Sequence, residues 1–207
     1  PLTALPLFLL ASWALNITPG PDMLYVIARG AGQGRRAGLA SALGIAVGTL
    51  IQTSVVALGL ASILAAVPLA YDIVKFGGAG YLIYLGLRTL LSPQHSLVAP
   101  VVERMGLWRI FGQGVVTNVL NPKVALFFLA FLPQFTSPIY GSVPWQIILL
   151  GTIFNISGTS VNTIVALLAG SFGDWLKGHT RASHMLNWLT GGVFISLGVR
   201  LAFLQRR

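Results

Sequence analysis

The chain has 207 residues, 55% of them hydrophobic and only 8% charged, with a mean hydropathy of +0.82. A soluble domain carries about 25% charged residues because its surface must be hydrated, so 13 basic and 4 acidic side chains cannot coat a soluble globule of this size. The net charge of +9 lies at the ends of apolar runs, where it reads as a membrane-topology signal rather than a nucleic-acid surface, and the lack of cysteine excludes disulfides, thiol redox chemistry and thiolate metal sites.

A membrane-spanning helix needs about 20 mostly apolar residues. The first predicted span runs from about Leu5 to Ala28, with Asp22 as its only charge, and ends at Arg29 and the turn Gly32 to Arg36. Its apolar start lacks a basic n-region and a cleavage signature and continues past a Pro-Gly-Pro, so it is expected to stay as a mature helix. The second span, about Gly38 to Ala66, carries no charge and is closed by Pro68. The third, about Ala70 to Leu91, has Lys75 and Arg88 near its ends, where long basic side chains can snorkel to headgroups. Residues 92–109 form a polar loop. The fourth span, about Ile110 to Leu132, holds Lys123, and Pro133 to Pro144 is a turn with three prolines and no charge. The fifth runs from about Trp145 to Ala169. The sixth runs from about Met185 to Phe203, after a wet loop with Asp174, Lys177, His179 and Arg181.

These elements predict an all-α integral membrane protein, multi-pass, with six transmembrane helices. Arg29, Arg35, Arg36, Arg104, Arg109, Lys177 and Arg181 all fall in odd-numbered loops, and the even-numbered turns have no Lys or Arg. The positive-inside rule then places both termini outside, with Arg206 and Arg207 running against that orientation. The loop 92–109 joins pseudo-repeat halves 1–91 and 110–207. Each half opens with a helix broken by proline beside a charge: Asn16 to Asp22 in the first, Asn118 to Lys123 in the second. Three spans per half insert with opposite topology, the 3+3 inverted-topology repeat of transporters whose paired broken helices form the site.

A carboxylate in a span is costly and faces a bundle interior or a water-filled cavity. Pro19 and Pro21 remove two backbone donors, and Gly20 permits close approach. Asp22 beside them can receive a proton or a substrate ammonium, or it can cap the half-helix that follows. Lys123, after Asn121 and Pro122, adds positive charge at a half-helix start. It can address a carboxylate of the substrate, or pair with Asp22 and hold the halves together. Asn16, Asn118 and Asn121 lie within about a turn of the breaks. Asn155, Thr159 and Asn162, spaced four then three, share a helix face that either lines a polar cavity or bonds to neighbouring helices, as is expected of Ser157 and Ser160. Gln52 and Thr53 are a weaker polar signal in the second span. Gly34 with Gly38, Gly44 with Gly48, and Gly77, Gly78 and Gly80 are expected to let helices pack closely, and leave a homodimer open. Tyr81 and Tyr84 read as interface or packing residues. His95, His179 and His184 have no metal-ligand spacing, and no catalytic grouping falls in a span, so neither a metal site, a cofactor nor an enzyme is expected.

Four segments in this order — Thr-Pro-Gly-Pro-Asp (Thr18 to Asp22), Gly-Arg-Arg-Ala-Gly-Leu (Gly34 to Leu39), Tyr-Leu-Ile-Tyr-Leu-Gly (Tyr81 to Gly86) and Asn-Pro-Lys (Asn121 to Lys123) — give the whole chain a resemblance to the LysE/RhtB family of amino-acid exporters. The resemblance implies a six-helix protein of the bacterial cytoplasmic (inner) membrane that exports an amino acid or close derivative by proton antiport. It makes the two proline motifs, Pro19 to Asp22 and Asn121 to Lys123, central to transport. The competing expectation is a channel or passive pore for small polar solutes.

Overall fold

The computed structural model describes residues 5–66 and 103–178, with scattered helical positions between 76 and 91 and between 188 and 199. Among the described residues the secondary structure is helical, without strands. Helix α1 spans Leu5–Ile17, α2 Pro21–Gln33, α3 Arg35–Ala66, α4 Leu107–Val119, α5 Pro122–Phe131 and α6 Val143–Gly178. Two 3-10 turns, Leu132–Phe135 and Pro138–Tyr140, fill the proline-rich connection before α6.

The expected first span is two helices of 13 residues each. Pro19 and Pro21 cannot donate to the preceding turn, so α1 stops at Ile17 and α2 restarts with Pro21 at its first position. It also runs further than expected. Arg29 lies inside α2, which continues to Gln33, and the turn into α3 is made by Gly34 alone, at φ +88°. That φ is in the left-handed region that favours glycine. The expected fourth span is likewise divided, into α4 and α5, with a bend of 47° at Leu120–Asn121. Its start at Leu107 takes in residues expected in the loop.

Two stretches are long and apolar enough to cross a membrane, Arg35–Gly59 and Val143–Ala169, and the bent pair of α4 and α5 makes a third. The flanks of α3 and α6 present exposed Leu43, Leu50, Val55, Leu149, Ile156 and Ile164, the apolar surface that lipid would cover. Most of the third expected span, and the sixth apart from scattered positions, lie outside the described residues. So do His95, His179, His184, Gly78, Tyr81, Pro68, Lys75, Arg88, Arg181, Arg206 and Arg207.

Small residues set the packing. A Cβ on Gly30 would lie 2.5 Å from Ala169 Cβ, and one on Gly38 3.0 Å from Ala166 Cβ, so α2, α3 and α6 meet nearly backbone to backbone. A Cβ on Gly44 would run into the Phe111 carbonyl, and one on Gly114 would lie 2.8 Å from the Ser41 carbonyl, which seats α4 on α3. Gly44 and Gly48 are therefore spent within the subunit. Gly77 and Gly80, expected to do the same, have nothing near them among the described residues, and Gly34 turns the chain instead of packing.

The apolar core divides in two. One cluster gathers Phe8, Leu15, Val56, Val124, Phe127, Phe128 and Phe154, with Phe127 and Phe131 stacked at 4.8 Å. The other gathers Met23, Val26, Ile27, Ala42, Ile45, Val161 and Val165. Helices α3 and α6 pass from one cluster to the other, α1 and α5 contribute to the first and α2 to the second, and the residues between the clusters are polar. On the first half-helices these are Asn16, Thr18 and Asp22; on α3, Thr49, Gln52 and Thr53. Across the second break they are Asn118 and Asn121, and on α6 Ser157. A polar layer thus lies between two apolar plugs.

Candidate functional site

The two breaks meet in that layer. Because Pro21 occupies the first position of α2, Asp22 falls in its first turn, and the residue before it, Gly20, has no side chain to cap with. Asp22 does not take the cap role either. Its Oδ2 instead accepts a 2.8 Å hydrogen bond from Asn118 Nδ2, at the end of α4 in the other half of the chain. Its Oδ1 is buried with no hydrogen-bond partner, although the Asn121 amide stands beside the same carboxylate.

The second break is closed by its own residues. Asn121 caps α5, its Oδ1 accepting from Lys123 N at 3.0 Å, and Asn121 N donates to the Asn118 carbonyl at 2.8 Å. The Lys123 side chain runs back across Gly20, where a Cβ would lie 3.3 Å from both Cδ and Nζ. Its ammonium donates to the Leu15 and Thr18 carbonyls, each at 2.7 Å. These are among the carbonyls that a helix C-terminus leaves without partners, and a cation there also meets the negative end of the helix dipole. Lys123 and Asp22 attract one another across the break, but the ammonium makes its contacts with α1, so a direct ion pair is not what joins the halves.

Around this centre the expected residues separate. Asn16 Nδ2 donates to Ser157 Oγ at 2.9 Å and to the Phe154 carbonyl at 3.4 Å, tying α1 to α6, and Gly158 leaves room for its amide. Ser157 thus plays the interhelical role expected of it, whereas exposed Ser160 bonds back to its own Ile156 carbonyl. Thr159 donates to Asn155 at 3.2 Å along α6, and Asn162 is buried further along the same face. The structure does not bring these three to Asp22.

Gln52, expected only as a weaker polar signal, and two residues not expected at the site, Arg29 and Tyr25, join the layer or border it. Gln52 Nε2 donates to the Asn118 and Val119 carbonyls, at 2.6 and 3.1 Å, at the C-terminal end of α4, where the Asn118 carbonyl also accepts from Asn121 N. Its spacing of four from Gly48 was the available signal. Arg29, expected as a loop charge, is 8% exposed and donates to Gln33, the Glu103 carbonyl and Gln113. Tyr25 donates to the Ile110 carbonyl and Gln113, with Arg29 over its ring at 5.6 Å. Asp22, Tyr25 and Arg29 follow helical spacing on α2, so one stripe runs from the break to the Gly34 end, seamed against α4 all the way. Among the described residues no group of three His, Cys, Asp or Glu side chains could hold a metal ion.

Helices long and apolar enough to cross a membrane, with two broken ones whose charges meet in a polar layer between apolar clusters, mark a membrane protein. The chain belongs to the LysE type translocator family, whose model matches residues 13–205. Among its relatives, a homoserine/homoserine lactone efflux protein of Salmonella typhimurium is 29% identical over 94% of each chain. A leucine efflux protein of Salmonella choleraesuis is 26% identical over 96% of this chain and 94% of its own. An uncharacterized membrane protein of Pseudomonas aeruginosa is 28% identical over 90% of this chain and 88% of its own. No solved structure matches.

Proposed function

We propose that the protein exports a small zwitterionic amino acid across the bacterial cytoplasmic membrane in exchange for protons, by alternating access about the layer where the two breaks meet. The observation that carries this reading is the half-buried Asp22 carboxylate in the polar layer, with one oxygen accepting from Asn118 and the other, beside the Asn121 amide, buried without a hydrogen-bond partner. A buried anionic oxygen without a donor is costly. A proton or a substrate ammonium would each relieve that cost, and they exclude one another, which is the condition for exchange. Lys123 donates to the Leu15 and Thr18 carbonyls, and its remaining N–H would serve a substrate carboxylate. The family and the two efflux relatives support an amino acid as cargo and make leucine and homoserine the first candidates.

In this reading six helices form two inverted halves, and the chain sits with its Arg35, Arg36, Arg104 and Arg109 end in the cytoplasm and its termini in the periplasm. In support, the Gly34 turn and the 103–106 segment lie together through Arg29 and Gln33, while Phe8 packs against Phe135 at the opposite end. Exposed Trp108 at the first end and Tyr140 and Trp145 at the second suit the two membrane interfaces.

The test is counterflow in vesicles preloaded with leucine or homoserine, with internal pH followed by a dye. Exchange should concentrate labelled amino acid transiently and move protons against it. Asp22→Asn should lose both by more than about a hundredfold, since it removes the charge on which exchange depends, while membrane levels of the protein stay unchanged. Uptake that never exceeds equilibration marks a passive pore, and undiminished pH-dependent exchange by Asp22→Asn removes the carboxylate from the mechanism.

A further inference from the structure

Arg29 is a buried cation held by neutral acceptors. It is 8% exposed, and its guanidinium donates to Gln33 Oε1 at 2.9 Å, the Glu103 carbonyl at 3.0 Å, Gln113 Oε1 at 2.9 Å and Met105 Sδ at 3.3 Å. None of these acceptors is a carboxylate. A buried charge without a counter-ion is held at a cost that hydration would relieve.

Two of the four acceptors, on Glu103 and Met105, belong to residues 103–106, which precede α4 and have no regular secondary structure. Gln33 ties down the same stretch, its Nε2 donating to the Met105 carbonyl at 3.1 Å. Arg29 and Gln33, one turn apart at the end of α2, therefore grip this stretch together. Glu103 and Arg104 are exposed, and Met105 is half-buried with its sulfur on the guanidinium.

The helices on either side are fixed by other means. Met23, Val26 and Ile27 hold α2 in the second apolar cluster, and α4 is seated on α3 at Gly44 and Gly114. Hydrogen bonds tie α2 to α4: Asp22 to Asn118, Tyr25 to Gln113 and the Ile110 carbonyl, and Arg29 to Gln113. Such bonds exchange for bonds to water at small net cost, whereas parting an apolar cluster exposes its whole area. Residues 103–106 are the piece of this end that can move without parting packed helices.

We infer that residues 103–106 are a strap latched across the Gly34 end by Arg29 and Gln33, and that lifting it admits water and solute to the polar seam between α2 and α4. Arg29 lies about 10 Å along α2 from Asp22, so the seam under the strap leads to the polar layer. The latch closes this end while the layer faces the other side. On release the guanidinium gains water, so the same buried charge that holds the latch also makes it reversible. This rests on the proposed reading of alternating access and assigns one of its two closures to named residues.

The chain has no cysteine, so introduced thiols stand alone. In vesicles, Gln33→Cys with Met105→Cys, joined by a short, reducible bifunctional thiol reagent, should lose leucine or homoserine counterflow by about tenfold or more, and reduction should restore it. Exchange that continues at the unlinked rate overturns the strap. Met105→Cys alone keeps both latching residues and gives a second readout. A membrane-impermeant thiol reagent should label it about threefold faster with the amino acid on both sides of the membrane than without it. Arg29→Lys, which keeps the charge without the fork, should raise the resting labelling rate. A rate that the amino acid does not change, or that Arg29→Lys does not change, likewise overturns the inference. Passive equilibration by the parent with labelling still accelerated would defeat the transport reading alone. Intact counterflow in the crosslinked protein would defeat the strap alone.

Discussion

The two breaks use the same residue types and solve their loose ends in opposite ways. At the second, Asn121 caps α5, Asn121 N and Gln52 donate to the carbonyls that end α4, and the Lys123 ammonium reaches the other half. At the first, Gly20 caps nothing, the Leu15 and Thr18 carbonyls accept from Lys123 of the other break, and one oxygen of the Asp22 carboxylate has no hydrogen-bond partner. The second break has its main-chain ends met, by Asn121 and by Gln52 of α3, and lends its cation out. The first depends on that loan. Paired broken helices need not be equivalent: one has its main-chain ends met, and the other relies on a cation lent by its partner.

Substitutions at each break should separate these roles. Lys123→Met keeps the length of the side chain but leaves the Leu15 and Thr18 carbonyls without donors, and hydrogen bonds from a charged group are worth about 1.5–3 kcal/mol each. Thermal unfolding should show a loss of about 3 kcal/mol or more. Asp22→Asn should leave the unfolding midpoint near that of the parent while abolishing exchange. If the two variants lose stability equally, the asymmetry is wrong. Asn121→Ala removes one cap and should cost about 1 kcal/mol, seen as faster amide hydrogen exchange confined to the first turn of α5. Gly20→Ala should have the smallest effect, a few tenths of a kcal/mol, about the scale of a surface substitution, because its Cβ meets only the flexible end of Lys123. A large loss there would mean that the side chain of Lys123 has no freedom to yield.

Both breaks are legible in the sequence, because proline within an apolar run cannot continue a helix and a charge beside it has no other reason to be there. The packing role of Gly38, Gly44 and Gly48 is legible for a similar reason: small residues four apart make a face. What Lys123 reaches is not, because its targets are backbone carbonyls, which leave no mark in a residue string. The same holds for Gln52, whose two acceptors are main-chain atoms of Asn118 and Val119. Arg29 was misplaced because a basic residue near the end of an apolar run looks like a loop charge. Because α2 continues to Gln33, Arg29 belongs to the stripe with Asp22 and Tyr25. The face of Asn155, Thr159 and Asn162 was a fair reading of helical spacing, but spacing fixes which residues share a face and not what that face meets.

The long helices have a mechanical consequence. At 32 and 36 residues, α3 and α6 are about 48 and 54 Å long, against a hydrocarbon thickness of about 30 Å. Such helices adjust to a bilayer by tilting or by projecting into the headgroups. Locked to each other and to α2 by contacts at Gly30, Gly38, Ala166 and Ala169, they can tilt only as a unit, and that unit carries Gln52 and Ser157. A change of lipid chain length should therefore act on the polar layer through the tilt of that unit, without altering a single residue in it.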